Sequence, residues 1–216
     1  MWRHERALLE AAGIEVIAPD LPGHGTRMGE RFSIDSAMLT IDQAVADAAS
    51  PPLIVGFSLG GYLSLHWAGL QPRSVHRIVA ASCGTQPTRA ALGAWRALAR
   101  VIHAFPDRGL TLNNSLLGLA VRDRQLAADV IAGGVALEVM QDALREMCSL
   151  SVTDSLSRID NEVWFVNGTL DHFRTNERSY LRVAHHGRLI HVKGATHLVG
   201  LTRPVEFHRI ITEALL

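Results

Sequence analysis

Cysteine is scarce: among 216 residues only Cys83 and Cys148 carry a thiol. One follows a predicted strand and the other sits in an apolar helix, which makes neither a disulfide framework nor a metal site; both are expected to be buried thiols. A bias of charge is missing as well. Lys+Arg and Asp+Glu number 21 each, so there is no basic footprint for nucleic acid or an anionic membrane, and neither is expected as a partner. No apolar run approaches the ~20 residues of a membrane span. The N-terminal Met1-Trp2-Arg3-His4-Glu5-Arg6 is charged where a signal peptide needs an apolar core, so a cytoplasmic chain is expected. No two histidines have matching ligand partners, and neither metal nor cofactor is expected. What is present is 48% hydrophobic and 19% charged residues. At this length that is ordinary for one compact α/β domain.

Residues 53–61, Leu-Ile-Val-Gly-Phe-Ser-Leu-Gly-Gly, run a short apolar strand into a glycine-flanked serine and then a helix. Gly56-Phe57-Ser58-Leu59-Gly60 fits Gly-x-Ser-x-Gly, a strand-to-helix turn that puts the serine oxygen at its tip. The strained turn predicts that a Cβ two residues before or after Ser58 collides with the corner, and that Gly61 packs helix closely on sheet. Tyr62, Leu63, Leu65, Trp67, Ala68 and Leu70 continue as an apolar helix that stops at Gln71-Pro72.

A serine hydroxyl needs a base, and the second half of the chain supplies candidates. Glu162-Val163-Trp164-Phe165-Val166 reads as a strand that Asn167-Gly168 turns, with Asp171 just past its carboxyl end. Leu189-Ile190-His191-Val192 is another strand, followed by Gly194-Ala195-Thr196-His197. The order Ser58, Asp171, His197 matches one of the known triad orders and neither of the others. Elsewhere, a helix over 2–12 stops at Gly13, and Ile14–Ala18 reads as a strand. A helix over about 35–49 leads to the serine strand, and Arg77–Ala81 is the strand after it. Strands separated by helices imply a mostly parallel sheet with helices on both faces, whose active site lies at the carboxyl ends of the strands.

Four blocks carry a resemblance: Ala18-Pro19-Asp20-Leu21-Pro22-Gly23-His24-Gly25, the turn at Ser58, Asn167-Gly168-Thr169-Leu170-Asp171, and Gly194-Ala195-Thr196-His197. Together they resemble the α/β-hydrolase fold family of serine hydrolases over nearly the whole chain. The resemblance implies a nucleophile at Ser58, a general base at His197 and an orienting acid at Asp171. The backbone N–H of Leu59, at the positive end of the helix, would be one oxyanion donor. The Asp20–Gly25 loop is structural in the family, so no catalytic role passes to His24. The chain departs from the family in one respect. It lacks the N-terminal strand and the loop that brings the second oxyanion donor, from which we expect Met1 to be an internal methionine of a longer reading frame.

The stretch from Thr85 to Arg158 shows no strand pattern but amphipathic segments at 91–105, 114–121 and 125–150, with a break at Gly133-Gly134. We read residues 1–84 and 159–216 as the hydrolase core and 85–158 as a helical cap insertion. Its Trp95, Val101, Ile102, Phe105, Leu116, Leu117, Leu119, Val135, Leu137, Val139 and Met140 either line an acyl pocket or pack the cap. His172, His66 and His103 are weaker candidates for the base. His185, His186, His4, His76 and His208 read as solvated, and His191 as packed within its strand. Asp154, Asp160 and Glu162 precede their strand instead of following it, and Arg174 is a possible substrate-carboxylate ligand or a surface residue. Pro204 opens a closing helix that buries Phe207, Ile210, Ile211 and Leu215. A serine at the turn argues against dehalogenases and epoxide hydrolases, which resemble this scaffold but need a carboxylate there. The expected reaction is hydrolysis of a small apolar carboxylic ester, thioester or lactone. The alternatives are carbon–carbon bond cleavage or elimination on the same residues, or a truncated, non-catalytic protein of this fold.

Overall fold

The computed structural model describes residues 2–71, 75–132, 136–137 and 139–216. Pro72, the Gly133-Gly134 break and Val135 lie outside the described residues. In chain order the elements are α1 (Arg3–Ala11), α2 (Ile34–Ala46), β1 (Leu53–Phe57), α3 (Leu59–Leu70), β2 (Arg77–Ala81), α4 (Arg89–His103), α5 (Leu110–Ala120), α6 (Arg124–Ala132) and α7 (Met140–Glu146). They continue with α8 (Val152–Leu156), β3 (Glu162–Gly168), α9 (Glu177–Val183), β4 (His186–Val192), α10 (Val199–Thr202) and α11 (Pro204–Ala214). The chain forms two compact units, one of Met1–Thr40 with Pro87–Ser149, the other of Ile41–Gln86 with Leu150–Leu216.

The first unit is helical. α1 ends as expected: Gly13 takes φ +78°, its N–H bonds to Glu10, and the N–H of Ile14 reaches back to Leu9. These two bonds satisfy carbonyls that the helix end leaves open. The strand expected over Ile14–Ala18 does not form. A strand exists only through its ladder, and among the described residues no neighbour pairs with this segment. The Asp20 loop organises itself instead. The Asp20 carboxylate accepts from the N–H and hydroxyl of Thr26 at 2.8 and 2.9 Å, and a Cβ on Gly25 would strike that carboxylate. His24 is turned to the carbonyl of Pro22 at 3.0 Å. In the helical stretch after Pro87, α4 packs on α7 and α5 on α6, and Leu117, Leu137 and Val139 are buried while Trp95, Val101, Phe105, Leu116 and Leu119 are exposed.

The second unit holds a four-stranded parallel sheet in the order β1-β2-β3-β4. All three pairings are parallel, because every connection crosses over through helix. Val163–Val166 of the central β3 are buried, as are Ile78–Ala81 of β2. Two strands are longer than their apolar patterns suggest. β3 runs through Asn167 and Gly168, which pair with His191 and Val192, so these two residues extend the strand instead of turning it. β4 begins at His186, opposite Glu162; its first three residues are exposed, and hydrogen bonding to β3 recruits them without any hydrophobic signal. α3 lies against β1, β2 and α8, with Tyr62, Leu63, Leu65, Trp67 and Ala68 buried. At about 1.5–3 kcal/mol for each large apolar side chain, this helix is a main anchor of the sheet. Of α11, Phe207, Ile210 and Ile211 are buried and Leu215 half-buried.

Candidate active site

All three residues singled out in the sequence lie in the second unit, at the carboxyl ends of its strands. Ser58 follows β1 with φ +49° and ψ −116°, a conformation that costs about 1–3 kcal/mol in a residue bearing a Cβ. Two features hold it there. The Ser58 N–H bonds to the carbonyl of Ala81 at 2.8 Å, and the Ser58 carbonyl accepts from Tyr62 in the first turn of α3. Gly56 is required by the corner, since a Cβ would meet the carbonyl of Gly60 and Oγ of Ser64. Gly61 lets the helix approach Cys83, whose Sγ would be 2.8 Å from an added Cβ. The expectation fails at Gly60: a Cβ there would meet nothing within 4 Å, because the residue faces open space.

Asp171 and His197 are brought to Ser58 by two loops bonded to each other. After β3 and β4, the Thr169 N–H donates to Val192 at 3.0 Å and the Leu170 N–H to Ala195 at 2.9 Å. The Gly194 N–H donates to Oγ1 of Thr169 at 2.8 Å. Gly168 has no room for a side chain, because a Cβ would collide with the carbonyls of Ala195 and Thr196. The result is a continuous array. Nε2 of His197 is 3.0 Å from Oγ of Ser58, and Nδ1 is 3.1 and 3.2 Å from the two Asp171 oxygens.

The side chain of Asp171 is fully buried, that of His197 about one quarter exposed. Burial pushes the Asp171 carboxyl up. Hydrogen bonds from His197 and from the Phe173 N–H, with the nearby charges of His197 and His172, outweigh that and hold it below the usual carboxylate range. A carboxylate only accepts, so with Asp171 ionised Nδ1 of His197 is the nitrogen that donates to it, and Nε2 is the one that faces the Ser58 hydroxyl as an acceptor. The imidazole is also flanked by rings, Phe57 at 5.5 Å and Phe173 at 4.9 Å between centroids.

The other candidates fall elsewhere. Glu162 accepts from Arg77 and from Nε1 of Trp164, and Trp164 lies under both Arg77 and Arg188, at 5.1 and 4.3 Å. Its carboxyl is lowered first by the Trp164 bond. Asp160 pairs with His185 at 3.0 Å, and Asp154 is exposed on α8. His172 is exposed, with its ring 6.3 Å from that of His197. Arg174 faces Glu177. His191 does not pack apolarly within β4; it bonds to Glu177 at 2.9 Å, a pairing that the apolar pattern of the strand conceals. Cys148 is only half-buried. Two residues had no signal in the sequence. Phe173 is visible only once the loop is folded, and Ser82 sits after β2 at φ +54° with a buried hydroxyl that has no partner among the described residues.

Residues 1–210 match the alpha/beta hydrolase family. The chain belongs to that family and is a hydrolase of that fold. No curated protein matches it in sequence. Among solved structures it is similar to a monoacylglycerol lipase of Paleococcus ferrophilus, with 23% identity over 99% of this chain and 88% of that one, TM-score 0.70. A carboxylesterase of Nitrososphaera gargenis is similar at 19% identity, 99% and 84% coverage and TM-score 0.79. A bromoperoxidase of Bacillus anthracis is similar at 17% identity, 99% and 86% coverage and TM-score 0.78. At these identities the likenesses establish the fold. Among the described residues no helix is long and apolar enough to cross a membrane.

Proposed function

We propose that the chain is a serine hydrolase that cleaves a carboxylic ester, thioester or lactone of a small apolar substrate through an acyl-enzyme. The observation that carries this reading is the unbroken line from Asp171 through His197 to Ser58, each step within 3.2 Å. His197 takes the Ser58 proton as Oγ attacks the carbonyl carbon, and Asp171 holds the tautomer and stabilises the imidazolium. The imidazolium then gives its proton to the leaving oxygen or sulfur. Water, activated by the same imidazole, releases the acid and restores Ser58. The Leu59 N–H, first in α3 and without an acceptor inside the helix, would face the developing oxyanion; one such donor contributes about 3–4 kcal/mol. The helical stretch 85–158 is assigned as the cap insertion of this hydrolase.

A fluorophosphonate probe tests the reading. Labelling that disappears in Ser58→Ala and His197→Ala, together with turnover of p-nitrophenyl esters of graded chain length, supports it. A folded protein that takes no label would overturn it, and cleavage of diketones without ester turnover would replace ester hydrolysis by carbon–carbon cleavage.

A further inference from the structure

Beside the proposed site lies a buried carboxylate that the reaction does not use. Glu177 opens α9 and is buried. Its Oε2 accepts from Nδ2 of Asn167 at 3.0 Å, its Oε1 is 2.9 Å from Nε2 of His191, and the Arg174 guanidinium approaches the same Oε1 at 3.6 Å. Nε2 of His191 is also 3.4 Å from Arg174. Arginine only donates and a carboxylate only accepts, so the shorter contact makes Nε2 a donor to Glu177.

These partners bracket the loop that carries Asp171. Asn167 stands in β3 immediately before Gly168, Arg174 lies within the loop, and Glu177 follows its last residue. The loop is tied on its other side to the segment after β2. The Asn176 N–H donates to Gly84 at 2.8 Å, Oδ1 of Asn176 accepts from the Gln86 N–H at 3.0 Å, and the Thr175 N–H donates to Oγ1 of Thr85 at 3.2 Å. A buried charge is costly unless each of its oxygens is met. The donors that meet Glu177 come from β3, β4 and the loop itself, and they converge only when the loop closes in one conformation.

We propose that Glu177 is a positioning residue for Asp171. By joining the two ends of the acid loop it fixes the direction in which the Asp171 carboxylate faces Nδ1 of His197. Its kinetic consequence rests on the serine-hydrolase reading, whereas its structural consequence does not.

Glu177→Met keeps the length of the side chain and removes both acceptors. His191→Ala removes one donor from a side chain that is 40% exposed, so this variant folds even where the first does not. Two readouts separate the ideas. The low-field proton NMR signal of the His197 Nδ1–H, identified by its loss in His197→Ala, reports the bond to Asp171 without any turnover. Steady-state kinetics and the rate of fluorophosphonate labelling report its use. In Glu177→Met the signal should move upfield or broaden, with kcat and labelling rate falling by about tenfold or more and KM changing less than about twofold. His191→Ala should move both in the same direction by a smaller factor. A folded Glu177→Met, or failing that His191→Ala, with the wild-type signal and wild-type kcat would overturn the proposal. A wild-type protein that takes no label but whose signal shifts in the variants would sustain the positioning role and refute the serine-hydrolase reading.

Discussion

The backbone N–H of Phe173 donates to Oδ1 of Asp171 at 2.8 Å, so the carboxylate facing His197 is held by its own loop from two residues away. Asp171→Asn disturbs this without removing any volume. An amide offers one acceptor where the carboxylate offers two, and its NH2 group turned toward His197 selects the wrong tautomer. The expected result is a folded protein whose kcat falls by up to ~10⁴-fold with KM little changed. Steady-state kinetics with circular dichroism as the control for folding checks it.

The same carboxylate sets a dependence on acid. Its folded pKa lies below its ordinary value, so its contribution to stability is fully present above the unfolded value of about 3.9 and is lost as pH falls through the lower folded value. Wild type should therefore melt above Asp171→Asn at neutral pH, and the gap should close as the solution is acidified below about pH 4. Calorimetric Tm values of both proteins across that range give the comparison. A gap that stays constant to the lowest pH would mean that the carboxylate is not favoured by the fold.

Much of this arrangement is legible in the sequence because this fold, unlike others that bring the same three residue types together, carries them in one chain order at the ends of its strands. Ser58, Asp171 and His197 each follow an apolar run, and apolar runs mark buried parallel strands. The failures have a common physical origin. The Ile14–Ala18 segment has strand composition but no ladder partner among the described residues, and composition carries no information about partners. β4 and the end of β3 gain residues through hydrogen bonding alone, as the exposed His186 illustrates. The link between Glu177 and Asn167 joins residues ten apart through side chains that no periodicity connects.

The two glycines beside Ser58 should differ in cost. Gly56 faces the Gly60 carbonyl and Ser64, both fixed within the first two turns of α3, where Oγ of Ser64 already donates to that carbonyl at 2.7 Å. Gly56→Ala should destabilise by about 1–3 kcal/mol, as overpacking does. Gly60→Ala adds a methyl group to open space and, in a helix, exchanges a weak former for the strongest, so stability should stay level or rise by up to about 1 kcal/mol. Urea midpoints measured with constant slope distinguish the two. Equal losses would contradict the steric account of the turn.

Cys83 offers a test that is independent of any substrate. It sits behind the turn against Gly61, and burial, then the nearby Asp171 charge, pushes its thiol up to about 12. Only the thiolate reacts with alkylating reagents, so at pH 8 about one molecule in 10⁴ is reactive even before steric access is counted. Iodoacetamide added to the folded protein should leave Cys83 unmodified over hours, while the same treatment in denaturant should modify it at the rate of an ordinary thiol. Peptide mass spectrometry reads each cysteine separately, with the half-buried Cys148 as the internal reference. Variants that loosen the packing behind Ser58, such as Gly61→Ala, should make Cys83 react faster in the native state. Rapid alkylation of Cys83 in the wild-type protein would mean that the helix does not seat against β2 as described, and the strained backbone of Ser58 would lose its support.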